Sequence, residues 1–265
     1  MKPITLIVSG TGKTGKRLAA RMNRLGLPTR IGSRSGTPPF DWTVPHSWPA
    51  VLRDVGAVYI AYYPDLAFPG AAGHIGAFVD EARRSGVRQL VLLSGRGEPA
   101  VGPSERAIVE SGLEYTILRA AWLNQNFTEG HLADGIQAGE LAFPGGSVAE
   151  PFVDADDIAD VALAALSDDE HAGRTYDLTG PRLLTFAEAT AEIAAASGKP
   201  IRYTAIDSAT YAEALRPYLP AEQLAFLVEL FANVLDGHNA HLSDGVERAL
   251  GRPPRDFADF ARTLA

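Results

Sequence analysis

The stretch Gly10-Thr11-Gly12-Lys13-Thr14-Gly15-Lys16 holds the residue types that grip phosphate, and its spacing separates two chemistries. A loop for a nucleoside triphosphate needs G-x-x-x-x-G-K-[ST], with lysine on the outer phosphates and a hydroxyl on magnesium. Gly12-Lys13-Thr14 would require glycine at position 7, which is Ile7, while Gly15-Lys16 has Gly10 in place but Arg17 where the hydroxyl belongs. The dinucleotide pattern G-x-G-x-x-G is met in full by Gly10, Gly12 and Gly15. In that pattern the first glycine makes the turn, the second admits a pyrophosphate to the backbone, and the third lets helix and strand pack closely. Pyrophosphate then meets the N–H groups at the start of the helix.

The choice of dinucleotide depends on the end of the next strand. A carboxylate there binds the adenine ribose of NAD, whereas a cation receives the 2′-phosphate of NADP. The sequence reads Ile31-Gly32-Ser33-Arg34-Ser35-Gly36, with no carboxylate before Asp41. Ser33 and Arg34 therefore favour NADP(H) over NAD(H), a guanidinium fork being well matched to phosphate oxygens. A tyrosine followed four residues later by lysine, the usual proton-transfer pair of short-chain dehydrogenases, is absent. Tyr115 comes nearest, with Arg119, inside a predicted strand.

The elements that position these residues alternate through the first 120. Strands are expected at Ile4–Ser9, Thr29–Gly32, Gly56–Tyr63, Arg88–Gly95 and Leu113–Arg119, and helices at Lys13–Leu25, Ala71–Ser85 and Ser104–Ser111. This order predicts an α/β fold, a Rossmann-type doubly wound parallel sheet. Beyond it, helices at Asp154–Leu166, Thr185–Ser197, Ala209–Leu215 and Ala221–Leu235 suggest a smaller, mostly helical lobe. The expected division is a cofactor-binding core over 1–120 and a substrate lobe over 121–265, partly interleaved with the core.

The net charge of −8 argues against a nucleic-acid surface, which needs clustered lysine and arginine. Without cysteine there are no disulfides or thiolate chemistry. No run reaches the 18 apolar residues of a membrane span, and Met1–Gly10 leads straight into the first strand. A cytoplasmic protein without membrane or nucleic-acid partners is expected, monomeric or homodimeric. Asp154 reads as a helix N-cap and Asp156 and Asp157 as first-turn acids suited to the helix dipole. His238 and His241 lack a third ligand, so no metal is expected. His74 and His131 have the chemistry for a cleft, but the sequence does not place them.

The segments SGTGKTGK, LVLLSG, ERAIVESGLEYTILRAAWLNQNF and PFVDADDIADVA, in that order, resemble the NmrA-like family of atypical short-chain dehydrogenases/reductases over nearly the whole chain. Ser9 departs from it, standing where the family often has glycine. The resemblance implies an NAD(P)-binding fold and a cofactor site that includes Thr11, Gly12, Lys13 and Thr14, with Tyr62 and Tyr63 beside the riboses and Ser94 and Gly95 at a strand's carboxyl end. It also implies a loop passing the nicotinamide in which Trp122, Asn126 and Phe127 meet the substrate. The family holds NAD(P)H:quinone reductases, ergot-alkaloid-type reductases and redox-sensing regulators. Two functions stay open: hydride transfer to a quinone or another small conjugated acceptor without a tyrosine–lysine pair, and non-catalytic sensing of NADP(H).

Overall fold

The computed structural model describes residues 3–130 and 132–265. Its first part runs β1 (Ile4–Val8), α1 (Lys13–Arg24), β2 (Thr29–Gly32), α2 (Trp48–Leu52), β3 (Val55–Ile60), α3 (Ala71–Arg84), β4 (Gln89–Gly95), α4 (Gly102–Val109) and β5 (Glu114–Ala120). Next come α5 (Asn126–Glu129), α6 (Ala133–Ala138), β6 (Glu140–Phe143), β7 (Ala149–Glu150), α7 (Ala155–Ser167) and β8 (Arg174–Leu178). The chain then forms β9 (Leu184–Thr185), α8 (Phe186–Ser197), β10 (Arg202–Ala205), α9 (Ser208–Leu215), α10 (Ala221–Val234), α11 (Gly245–Leu250) and α12 (Phe257–Arg262).

Six strands form one parallel sheet in the order β2-β1-β3-β4-β5-β8. The chain winds outward from β1 to β2, then returns across β1 to build β3, β4 and β5 on the other side. The reversal beside β1 opens the crevice where such sheets receive ligands, outside the carboxyl ends of the strands. Strands covered on both faces read as unbroken apolar runs, and Leu90, Val91 and Leu92 of β4 are all fully buried. Leu18 and Met22, four apart on α1, turn inward, and the helix ends before Gly26 at a φ of +64°.

By its internal contacts the chain divides into two compact units. The first comprises Met1–Ala120, Ala155–Leu178 and Gly245–Arg252. Strand β8 supplies the sixth strand beside β5, and Gln89 Nε2 of β4 donates to the Ala165 carbonyl of α7 at 2.7 Å. The helix expected in the lobe at Asp154–Leu166 therefore belongs with the unit that holds the sheet. The Pro-rich connection after β2 also folds: Phe40, Trp42 and Trp48 pack edge-on or stacked against one another and against Phe78.

The second unit comprises Ala121–Asp154, Thr179–Asp244 and Pro253–Ala265. It holds the parallel pair β6–β10, the antiparallel pair β7–β9 and the helices α5, α6, α8, α9, α10 and α12. Its core is aromatic, built on Phe127, Phe143, Phe152, Phe186, Phe231 and Phe257. A capping box of Thr185 and Glu188 starts α8, and Arg182 grips Glu192 and Asp256 with paired hydrogen bonds.

Candidate functional site

The glycine turn is packed to the limit at two of its three glycines. A Cβ on Gly10 would lie 2.9 Å from both Ile31 Cγ2 and the Ile7 carbonyl oxygen, and one on Gly15 would lie 2.6 Å from the Ser9 carbonyl oxygen and 2.8 Å from Gly10 Cα. Gly12 meets only Ser9 O, at 3.2 Å, so its surroundings are open to a ligand. Ser9 adopts φ +56°, the left-handed region that favours glycine. Its carbonyl accepts the Gly12 N–H at 2.9 Å and closes the turn. At the start of α1, Gly12 is the N-cap, no side chain caps the helix, and no acidic residue lies in its first turn. A helix end of this kind presents N–H groups and the positive end of its dipole to an anion. Thr14 is buried, and Tyr59, fully buried on β3, donates to its hydroxyl at 2.9 Å. That hydroxyl serves the core, leaving the backbone of Thr14 for any phosphate.

At the end of β2, Ser33 Oγ is 3.5 Å from Ser35 Oγ and Arg34 is exposed. Asp41 lies within electrostatic reach of Arg34. The Thr43 backbone N–H and hydroxyl hold its carboxylate below the usual range. Beyond β3, Tyr62 leans on Trp42 with ring centroids 4.8 Å apart, and its hydroxyl lies 2.6 Å from His74 Nδ1. Burial raises the Tyr62 pKa. Tyr63 beside it is exposed.

The ends of β4 and β5 carry a hydrogen-bonded ion pair that sequence spacing does not reveal. Buried Ser94 donates to Glu105 Oε1 at 2.7 Å, and Arg119 closes on both oxygens of Glu105 at 2.9 and 2.6 Å. Burial acts to raise Glu105, but the hydrogen bonds from Arg119 and Ser94 outweigh it and hold the carboxyl below its ordinary range. The Ser94 hydroxyl is thus turned to α4. The Glu98 carboxyl lies over Gly95, where a Cβ would come 2.0 Å from Glu98 Oε1 and would have to displace that side chain. Asp65, in the loop after β3, accepts the Ala67 N–H at 2.8 Å. Burial raises both carboxyls, and Asp65 acts on Glu98 by charge as well. An acid just past two neighbouring strands, in Tyr62-Tyr63-Pro64-Asp65 and Gly95-Arg96-Gly97-Glu98, is the signal that was available.

In the second unit, Trp122 is partly buried and packs against Phe143, Phe186 and Phe231 at centroid distances of 5.8, 5.3 and 5.8 Å. Phe127 is fully buried among Phe152, Phe186 and Phe257. Its ring is core, and Trp122 packs against the same aromatic cluster. Asn126 is partly exposed at the first position of α5. Asp154 accepts from Asn124 Nδ2 at 3.3 Å and from Gln125 Nε2 at 3.0 Å. Exposed His238 turns its ring to Asp236, and His241 Nδ1 lies 3.2 Å from the His238 carbonyl. His131 lies outside the described residues.

No protein-family model matches the chain. The oxidoreductase YesF of Bacillus subtilis strain 168 is 31% identical over 273 residues, 98% of this chain and 94% of its own. The NAD(P)H azoreductase of Xenophilus azovorans is 30% identical over 285 residues, 98% of this chain and 97% of its own. Among solved structures, an NADPH-dependent quinone oxidoreductase of Escherichia coli in complex with NADPH matches with a TM-score of 0.81 at 19% identity, covering 98% of this chain and 99% of that one. A double mutant of NmrA matches with a TM-score of 0.71 at 16% identity, over 99% of this chain and 95% of its own. With its parallel sheet and glycine turn, and with relatives matched over nearly its whole length, the chain belongs to the NmrA-like family of atypical short-chain dehydrogenases/reductases.

Proposed function

We propose that this chain is an NADPH-dependent reductase acting on a quinone or another small conjugated acceptor. The observation that carries the reading is the uncapped, acid-free start of α1 behind a turn in which Gly10 and Gly15 have no room for a side chain. These residues fit a dinucleotide. Gly10, Thr11, Gly12, Lys13, Thr14 and Gly15 hold the pyrophosphate through backbone N–H groups, and Arg34, with Ser33, receives the 2′-phosphate. Tyr62, Tyr63 and the backbone at Ser94 and Gly95 border the rest of the molecule along the carboxyl edge of the sheet. Names among the relatives point the same way, an azoreductase at 30% identity foremost.

When bound, NADPH supplies the hydride. The chain's part is to bind, orient and exclude water, with Trp122 offering a ring face to a planar acceptor and Asn126 a hydrogen bond to its carbonyl. An electron-poor acceptor suits a protein without the tyrosine–lysine pair, because it asks less of a protein acid than an unactivated ketone does.

The test is oxidation of NADPH, followed at the absorbance of the reduced nicotinamide, with quinones and azo dyes added in turn. Acceptor-dependent oxidation is expected, falling when Trp122 is replaced by alanine. NADPH binding with no turnover on any acceptor would instead favour a dinucleotide sensor.

A further inference from the structure

We propose that Glu98, set beside Asp65, is the proton donor to the acceptor and takes the place of the absent tyrosine–lysine pair. The inference rests on the reductase reading and assigns the proton that this reading leaves without a source.

The topology puts the two carboxyls at the right end of the sheet. Strands β3 and β4 are hydrogen-bonded neighbours, with Ile60 opposite Leu92, so the loops that follow them emerge side by side. A dinucleotide held by Arg34 beyond β2 and by the turn beyond β1 would extend along the carboxyl edge of the sheet, past β3 and β4. Asp65 and Glu98 lie there. The Glu98 carboxyl rests on the bare α-carbon of Gly95, closer than any side chain at that position would allow. Its Oε2 is buried and has no hydrogen-bond partner, whereas Asp65 is fixed by the Ala67 N–H.

Two partly buried carboxyls in electrostatic contact do not both ionise readily. Burial, with the charge of Asp65 added, pushes Glu98 up to about 8, so Glu98 keeps its proton at neutral pH. The other charged groups nearby are differently engaged. Glu105 and Arg119 close on each other, Tyr62 bonds to His74, and Arg96 lies buried in the same loop as Glu98.

The step balances. Reduction delivers a hydride with two electrons from the dihydronicotinamide, which is oxidised to the pyridinium. The acceptor is left with an anionic oxygen or nitrogen. The O–H bond of Glu98 breaks, its electron pair stays on the carboxylate, a new O–H or N–H bond forms on the acceptor, and solvent water reprotonates Glu98.

Two acceptors test this. A quinone needs a proton after it accepts hydride, but a cationic triarylmethyl dye becomes neutral on accepting hydride and needs none. Turnover of both is measured for the wild type, Glu98→Gln and Asp65→Asn, with NADPH dissociation constants for each and an infrared titration of the protonated carboxyl band without cofactor. In Glu98→Gln the quinone-to-dye turnover ratio should fall by about 10²-fold or more, the usual range for a lost general acid. The wild-type carboxyl band and quinone turnover should both fade as pH rises through about 8. Asp65→Asn should move both to lower pH, and Glu98→Gln should lack the band. An unchanged ratio, or a band indifferent to Glu98→Gln, overturns the proposal even if NADPH binds and is oxidised. Failure of the wild type to bind NADPH instead defeats the reductase reading beneath it.

Discussion

Gly15 is the residue with the least tolerance in the molecule's phosphate turn. The backbone atoms that block a Cβ there, Ser9 O and Gly10 Cα, cannot rotate away as a flexible side chain would. Gly15→Ala should therefore push α1 off β1. The expected loss of stability is about 1–3 kcal/mol, as for other overpacked sites, read by chemical denaturation, and NADPH affinity should drop with it. Gly12→Ala, with one contact at 3.2 Å, should cost less stability. The glycines were legible in the sequence because their spacing is local, and so was the cation at Arg34. Asp65, Glu98 and the Glu105–Arg119 pair were not. Their meeting depends on the parallel pairing of β3, β4 and β5, a non-local register that no spacing within one segment encodes.

At the level of elements, the acidic start of α7 has more to do than complement a helix dipole. Arg21 of α1 donates to Asp160 at 2.5 Å and Asp156 at 2.7 Å, Arg17 reaches Asp156 at 3.2 Å, and Arg252, just past α11, reaches Asp157 and Asp160 at 2.7 Å each. The Arg21 side chain is only 11% exposed. Removing it takes one cation from partly buried Asp156 and Asp160, which keep Arg17 and Arg252, so Arg21→Ala should cost roughly 1–3 kcal/mol, between the values for exposed and buried pairs. Arg83→Ala, whose pair with Asp80 is 62% exposed on both sides, should change stability by less than about 0.5 kcal/mol. Denaturant midpoints of the two variants check the contrast. Most strands and helices of the first 120 residues could be read from apolar runs punctuated by Gly26, Pro64 and Gly86, but α2, inside the Pro-rich connection, could not. Strand β8 could not. It carries Arg174 and Asp177 and pairs with β5 alone, so it lacks the apolar run of a central strand.

For the whole molecule, the sheet is assembled from distant parts of the chain. A fragment ending at Ala120 would lose β8, bare the edge of β5, and leave Arg17 and Arg21 without Asp156 and Asp160. Such a fragment should not unfold cooperatively, as followed by circular dichroism on heating, while the full chain should. The sequence suggested an interleaved lobe without showing which segments return, because α7 and α11 are amphipathic or short helices that would suit either unit.

A dinucleotide site tuned to NADPH can be checked by fluorescence titration of the wild type and Arg34→Ala with NADPH and NADH. The wild type should bind NADPH at least about tenfold more tightly than NADH, as charge-assisted hydrogen bonds to the 2′-phosphate contribute about 1.5–3 kcal/mol. Most of that preference should vanish in Arg34→Ala. Equal affinities in the wild type, or no binding of either nucleotide, would contradict it.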